Sequence, residues 1–153
     1  MRKEIEKKYL LKSMPIGVSE GVEIHQGYLS TSDPEVRIRS KGSKYFVTRK
    51  GGEGFVREEA EEEVTKETFE IIWPATVNAR IEKTRFQITG SDGLIWEIDE
   101  YHGRLTGLFT AEVELPNCET KAEIPAEIAK VLAADVTEDK RYKNKALAVN
   151  SLV

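Results

Sequence analysis

Short runs in which apolar and polar residues alternate, each closed by turn-forming residues, recur along most of this chain. The first, "KEIEKKYLL" from Lys3, places Glu4, Glu6 and Lys8 on one register and Ile5, Lys7 and Tyr9 on the other. Residues two apart in a strand share a face at about 7 Å spacing, so the run predicts a strand with a charged row along one side. "VEIHQGYLS" follows the loop around Pro15 and Gly17, while "EVRIRSK" and "KYFVTRK" flank Gly42 and Ser43, a hairpin signal. "FVREEAEEEV" comes after the flexible stretch "GGEG", and "ARIEKTRFQITG", "LIWEIDEYHG" and "LFTAEVELP" bring the strand candidates to eight. Consecutive, hairpin-linked short strands predict an α+β, mainly β fold: an antiparallel barrel or strongly curved sheet with a few peripheral helices.

Helical spacing interrupts this pattern in three places. "TKETFEIIWPAT" sets Phe69, Ile72 and Trp73 on one stripe, with Thr65 as N-cap and Pro74 as the stop. "IPAEIAKVLAA" predicts a short helix beginning at Pro125. "DVTEDKRYKNKALAV" has an acidic start and a basic body, which predicts a C-terminal helix capped by Asp135 or Thr137.

At 153 residues the chain has the length of one domain, so residues 1–153 are read as a single unit. Its 23 basic and 27 acidic residues nearly cancel and are interspersed, which argues against a nucleic-acid coat or a membrane-surface protein. Cys118, the single cysteine, cannot form an internal disulfide and follows Pro116 in a turn without a base beside it. His25 and His102 have no ligand-spaced partner and read as surface or loop residues. No apolar run approaches the roughly 20 residues of a membrane span, and a cytoplasmic protein is expected.

The charges themselves alternate. Arg37 and Arg39, Lys83 and Arg85, Glu97 and Asp99, Glu112 and Glu114, and the row Arg57, Glu59, Glu61 and Glu63 each lie two apart. An antiparallel sheet commonly turns one face to water, and a solvated face is the ordinary reading of any one strand. Two features point elsewhere. "EIE", "RIR" and "EVE" avoid Thr, Ser and Gln, the usual fillers of a wet strand face, and the charges segregate into acid-only and base-only pairs. A closed barrel with these faces inward would hold an acidic and a basic patch in one lumen. Carboxylates two apart offer hard oxygen ligands to Mg²⁺ or Mn²⁺, and arginines at that spacing fork onto successive phosphates. The layout suits a small polyanion bound together with divalent metal.

The opening Glu4, Glu6 and Lys8, followed in order by "QGYL", "VRIRSKGSKYFVTRK", "REEAE", "EKTRF", "WEIDEYHG", "AEVEL" and "TEDKRYKNKAL", resembles the CYTH superfamily, also called triphosphate tunnel metalloenzymes. The likeness runs from Arg2 to about Val149 and is strongest to the small single-domain bacterial members. It implies an eight-stranded antiparallel β tunnel that binds a triphosphate and hydrolyses or rearranges it with divalent metal. The short bacterial type points first to metal-dependent hydrolysis of inorganic tripolyphosphate to pyrophosphate and phosphate. A class IV adenylate cyclase, a thiamine or nucleoside triphosphatase, and a non-catalytic triphosphate-binding module are the alternatives.

Position by position, the resemblance makes Glu4, Glu6, Glu112 and Glu114 metal ligands, with Asp99, Glu59 and Glu61 as further acids for a second ion or its waters. Lys8, Arg37, Arg39, Lys50, Lys83 and Arg85 would grip phosphate oxygens. Lys140 and Arg141 would reach in from the C-terminal helix, ahead of Lys143 and Lys145. Arg57 and Glu63, at strand ends, are left outside the set. For the base that activates water, Glu59, Glu61, a water on the metal and a desolvated Lys83 beside Arg85 all stay open, with Tyr28 as an orienting hydroxyl. An edge left by an imperfectly closed barrel would offer a second copy a strand to pair with, so a homodimer is entertained.

Overall fold

The computed structural model describes residues 5–52 and 58–149, so Glu4 and Arg57 lie outside the described residues. All eight expected strands form: β1 (Glu6–Leu11), β2 (Val22–Ser30), β3 (Glu35–Lys41), β4 (Lys44–Gly51), β5 (Glu58–Val64), β6 (Arg80–Thr89), β7 (Ile95–Tyr101) and β8 (Phe109–Glu114). A ninth, β9 (Leu132–Asp135), joins them, and the helices are α1 (Lys66–Ile72), α2 (Ala126–Ala129) and α3 (Asn144–Val149). One antiparallel sheet runs β5-β4-β3-β2-β6-β7-β8-β1-β9. The ladder ends at β5 and β9 instead of closing into the expected ring. It curls nonetheless, since side chains of β1 and β8 share one cavity with those of β2, β3 and β4.

The extra strand has a plain cause. The helix expected over "IPAEIAKVLAA" stops after one turn because its second half repairs the bare edge of β1: Lys12 N donates to Val131 O at 2.7 Å, and Tyr9, Leu10 and Leu11 pair with Asp135, Ala134 and Leu132. Unpaired edge groups thereby find partners. The C-terminal segment is likewise no single helix. Asp135 accepts from Thr137 N at 2.9 Å, and Asp139 caps a 3-10 turn at Lys140–Tyr142 before α3 begins. Short acidic side chains that bond their own backbone compete with continuous helix. Thr65 caps α1 as expected, accepting from Thr68 N at 3.1 Å. Pro74 does not stop the chain's coiling there: it sits in the first turn of a 3-10 helix, Trp73–Thr76, where its missing N–H is no loss.

The main apolar core lies on the outside of the curl. Tyr9, Leu11, Ile88, Trp96, Ile98 and Val113 occupy the register opposite the charges, and Met14, Val18, Ile124 and Ile128 from the loops and α2 cover them. On the outer face of β2, β3 and β4, α1 and the 3-10 turn do the covering: Phe69 packs on Tyr45 and Trp73, and Trp73 meets His25 edge-on. A second cluster sits at one end of the charged face, where Leu147 and Ala148 of α3 pack against Tyr28, Ile81, Tyr101 and Leu105. Among the described residues no helix is long and apolar enough to cross a membrane.

Gly27 lets the 3-10 turn press flat onto β2, since a Cβ there would lie 2.3 Å from Thr76 Oγ1 and 2.5 Å from its Cβ. Gly27→Ala should therefore destabilise the chain by about 1–3 kcal/mol in urea unfolding. An unchanged midpoint would show that the turn moves away without loss.

Candidate functional site

The cross-strand register settles which charges share a face. Glu6 pairs with Glu114 and Lys8 with Glu112 across β1 and β8, and Glu112 pairs with Glu97 across β8 and β7. The row continues through Arg85 opposite Asp99, Gln26 opposite Arg39, Tyr28 opposite Arg37, and Glu35 opposite Lys50. It ends with Lys50 opposite Glu59 and Thr48 opposite Glu61. Period-two alternation thus carries every described strand charge of the expected set to the inner, charged face of the curl.

On that face lies a cavity of about 460 Å³ lined by Glu6, Lys8, Tyr28, Glu35, Arg37, Lys50 and Glu112, and, from the C-terminal segment, by residues 136–139 and 142–145. Lys8 is held from two sides, by Glu112 at 3.3 Å and by the Tyr142 carbonyl. Arg37 is buried, and its Nε meets no hydrogen-bond partner among the described residues; the same holds for Arg39 Nε and Gln26 Oε1. Neither Lys143 nor Lys145 has a carboxylate partner there. The buried Arg37 donor without an acceptor, and two lysines without a carboxylate partner among the described residues, fit an anionic ligand on this cavity wall.

A second network pairs buried cations with carboxylates of the chain itself. Asp99 is fully buried, accepts from Arg85 Nε at 2.8 Å and from its terminal nitrogen at 2.9 Å, and lies 2.9 Å from Lys83 Nζ. Arg85 also reaches Glu97 at 3.0 Å. Burial alone would raise the Asp99 pKa, but Lys83 and Arg85 outweigh it and hold the carboxyl well below the usual carboxylate range. For Lys83 burial is the largest influence and lowers its pKa to about 8, against the opposing charge of Asp99. Burial also works against the charge on Arg85, yet Asp99 and Glu97 keep that guanidinium firmly protonated.

The expected site residues therefore divide. Glu6, Lys8, Tyr28, Arg37, Lys50 and Glu112 come together at the cavity. Glu114 is an exposed neighbour opposite Glu6. Lys83, Arg85 and Asp99 form the buried network, and neither Lys83 nor Asp99 reaches the cavity lining; both Asp99 oxygens, expected to face metal, are engaged by cations instead. Arg39 lies 3.7 Å from Glu61, which accepts from Thr48 at 2.7 Å, and with Glu59 these stand toward the β5 edge, apart from the lining. Tyr28 is buried, accepts from Gln26 Nε2 at 2.7 Å, and has its pKa pushed up to about 12, chiefly by burial.

At the C-terminus the expected order is reversed. Arg141 folds back onto Asp139 at 2.7 Å in solvent and Lys140 stays exposed, while Lys143 and Lys145 line the cavity. The helix is broken here: Asp139 caps a 3-10 turn over Lys140–Tyr142 and binds Arg141, and α3 begins only at Asn144. Glu35, Glu138, Tyr142 and Asn144 also line the cavity without having been singled out. Only Glu35 had a signal, being the first member of the row Glu35, Arg37, Arg39.

For a metal ion, Glu6, Glu112 and Glu114 offer carboxylate oxygens from one face of two paired strands, chemistry that a hard divalent cation accepts. Among the described residues no three acidic, cysteine or histidine side chains are drawn together into a cage. The donors fit by type, and an ion would have to gather them.

The chain is similar to known proteins in sequence and fold. The CYTH domain family model matches residues 2–146. The chain is 42% identical over 150 residues to an inorganic triphosphatase of Nitrosomonas europaea, covering 96% of this chain and 97% of the relative. It is 36% identical over 154 residues to an inorganic triphosphatase of Acetivibrio thermocellus, covering 98% and 96%. The crystal structure of the inorganic triphosphatase NE1496 superposes with a TM-score of 0.75 at 40% identity, over 98% of this chain and 97% of that one. The Hippeastrum protein HpAC1, at 17% identity and a TM-score of 0.55 over 76% and 81%, shares the fold.

Asp99→Asn would leave Arg85 and Lys83 buried with their common counter-charge gone. It should destabilise the fold by about 3–5 kcal/mol in denaturant unfolding. A loss under about 1 kcal/mol would mean that Glu97 alone suffices to hold the two cations.

Proposed function

The chain belongs to the CYTH domain family, and from that premise we propose that it hydrolyses inorganic tripolyphosphate to pyrophosphate and phosphate with Mg²⁺ or Mn²⁺. The observation that carries the reading is the cavity wall on which Lys8, Arg37, Lys50, Lys143 and Lys145 face Glu6 and Glu112. Relatives that align over nearly the whole chain bear the name inorganic triphosphatase, which supports the same substrate class.

In this reading the five cations bind the non-bridging oxygens, with Arg37 giving a planar fork and the lysines compact charge. Lys8 is aimed by Glu112 and the Tyr142 carbonyl, so its rotamers are restricted before substrate arrives. Tyr28, protonated far above neutral pH, donates its hydroxyl hydrogen and orients water or a phosphate oxygen; it does not serve as base. Lys83, Arg85 and Asp99 fix the β6–β7 floor on which the wall stands. Glu6, Glu112 and Glu114 would hold the divalent ion, which supplies positive charge to the phosphates as negative charge shifts toward the leaving oxygen. Water attacks the terminal phosphorus in line, the P–O–P bond breaks, and pyrophosphate departs.

Phosphate release from tripolyphosphate, with pyrophosphate and ATP alongside, each in EDTA, Mg²⁺ or Mn²⁺, tests this directly. Selective, metal-dependent cleavage of tripolyphosphate is expected; formation of cyclic AMP from ATP, or tight binding without product, would replace the reading by a cyclase or a binding module. Glu112→Gln should lower kcat by about a hundredfold or more while the chain stays folded. Arg37→Ala should raise KM by about tenfold, and an unaltered kinetic profile would remove Arg37 from the site.

A further inference from the structure

Lys143 and Lys145 reach the cavity from a segment that cannot place itself. Helix α3 has six residues, too few to be stable alone in water. Lys143, just before it, and Lys145, in its first turn, join Lys8, Arg37 and Lys50 on that wall, so the placing of this segment decides whether the two lysines reach the cavity. Something must hold the segment down.

Lys8 holds the Tyr142 carbonyl, Tyr28 and Ile81 pack on Leu147 and Ala148, and the polar contacts to α3 itself come from the β7–β8 connection. Tyr101, the last residue of β7, donates its hydroxyl hydrogen to Asn144 Oδ1 at 3.0 Å and so fastens the start of α3 between the two lysines. Three residues on, Arg104 in the 3-10 turn Gly103–Leu105 donates to the Leu147 carbonyl and, at 3.1 Å, to the Arg80 carbonyl. It thus ties a carbonyl that the end of a short helix leaves unsatisfied to the start of β6. Between these points Leu147 is fully buried against Leu105 and its neighbours. Arg104 itself is exposed and takes no part in the cavity lining.

We propose that Arg104 is a positioning residue for substrate binding: by clamping α3 to the β7–β8 turn, it keeps Lys143 and Lys145 on the phosphate-binding wall. The inference rests on the triphosphatase reading above. Because the two lysines contact phosphate oxygens in the bound substrate as well as in the transition state, loosening the clamp weakens binding and leaves the chemical step nearly alone.

The test is a cycle on tripolyphosphate hydrolysis with Arg104→Ala, Lys145→Ala and the double variant, each checked for folding by circular dichroism. Arg104→Ala should raise KM by about fivefold with kcat within about twofold of wild type, and Arg104→Lys should recover part of that rise. In the double variant the KM increase should be smaller than the product of the two single effects, because the part of the Arg104 effect that passes through Lys145 is gone and only the part through Lys143 remains. Should Arg104→Ala fold poorly, Tyr101→Phe, which removes only the hydroxyl on Asn144, should give the same KM rise. A lowered Tm with unchanged KM, or KM effects that multiply in the double variant, would reduce Arg104 to a structural contact. Absence of tripolyphosphate cleavage by the wild-type chain would instead overturn the triphosphatase reading, and the proposal with it.

Discussion

A charge on the inside of a curled sheet must be paired, hydrated or kept for a ligand, and that constraint shapes nearly everything else in this chain. The Asp99 carboxylate between Arg85 and Lys83 is the paired extreme: three groups out of water, joined by short bonds, at the middle of the sheet. With the charged register turned inward, the apolar register has to face out. Tyr9, Trp96, Ile98 and Val113 would then lie open to solvent, so the loops bearing Met14 and Ile124, together with α2, serve as a lid on the outer surface. The core is placed by the charges, in reverse of the usual order.

This explains what could be read from the sequence. Strands announce themselves by a period of two that survives whichever face is buried, so all eight were legible, and the same period grouped Lys8 with Glu6, Arg37 with Arg39 and Lys83 with Arg85. Which members of a shared face meet the cavity was not legible. Lys83 and Asp99 differ from Arg37 and Glu112 only in depth, and depth depends on the tilt and curl of strands that a linear pattern does not encode. Where local bonds override pattern, structure and sequence pattern differ: β9 meets the needs of the β1 edge, and Asp139 breaks the C-terminal helix, with Lys143 and Lys145 rather than Lys140 and Arg141 on the cavity lining.

The buried network and the cavity answer the same electrostatic problem in two ways. In the first, carboxylates of the chain satisfy the cations, which confers rigidity. In the second, Arg37 Nε, Lys143 and Lys145 find no such partner among the described residues, although acids stand nearby on β1 and β8. Paired cations in the buried network and cations without a carboxylate partner at the cavity are what the proposed anion site would need, the condition under which electrostatic stabilisation requires little rearrangement. Family membership and relatives named inorganic triphosphatase are what the proposed class of that anion rests on.

The central claim, that these inward cations await a polyanion, is most directly tested by thermal unfolding with and without tripolyphosphate, in EDTA and at constant ionic strength. Binding to the folded chain alone should raise Tm progressively with tripolyphosphate concentration, beyond any effect of equivalent chloride. A Tm that stays fixed up to millimolar tripolyphosphate would contradict the account, because cations on that wall would then be satisfied by something other than phosphate.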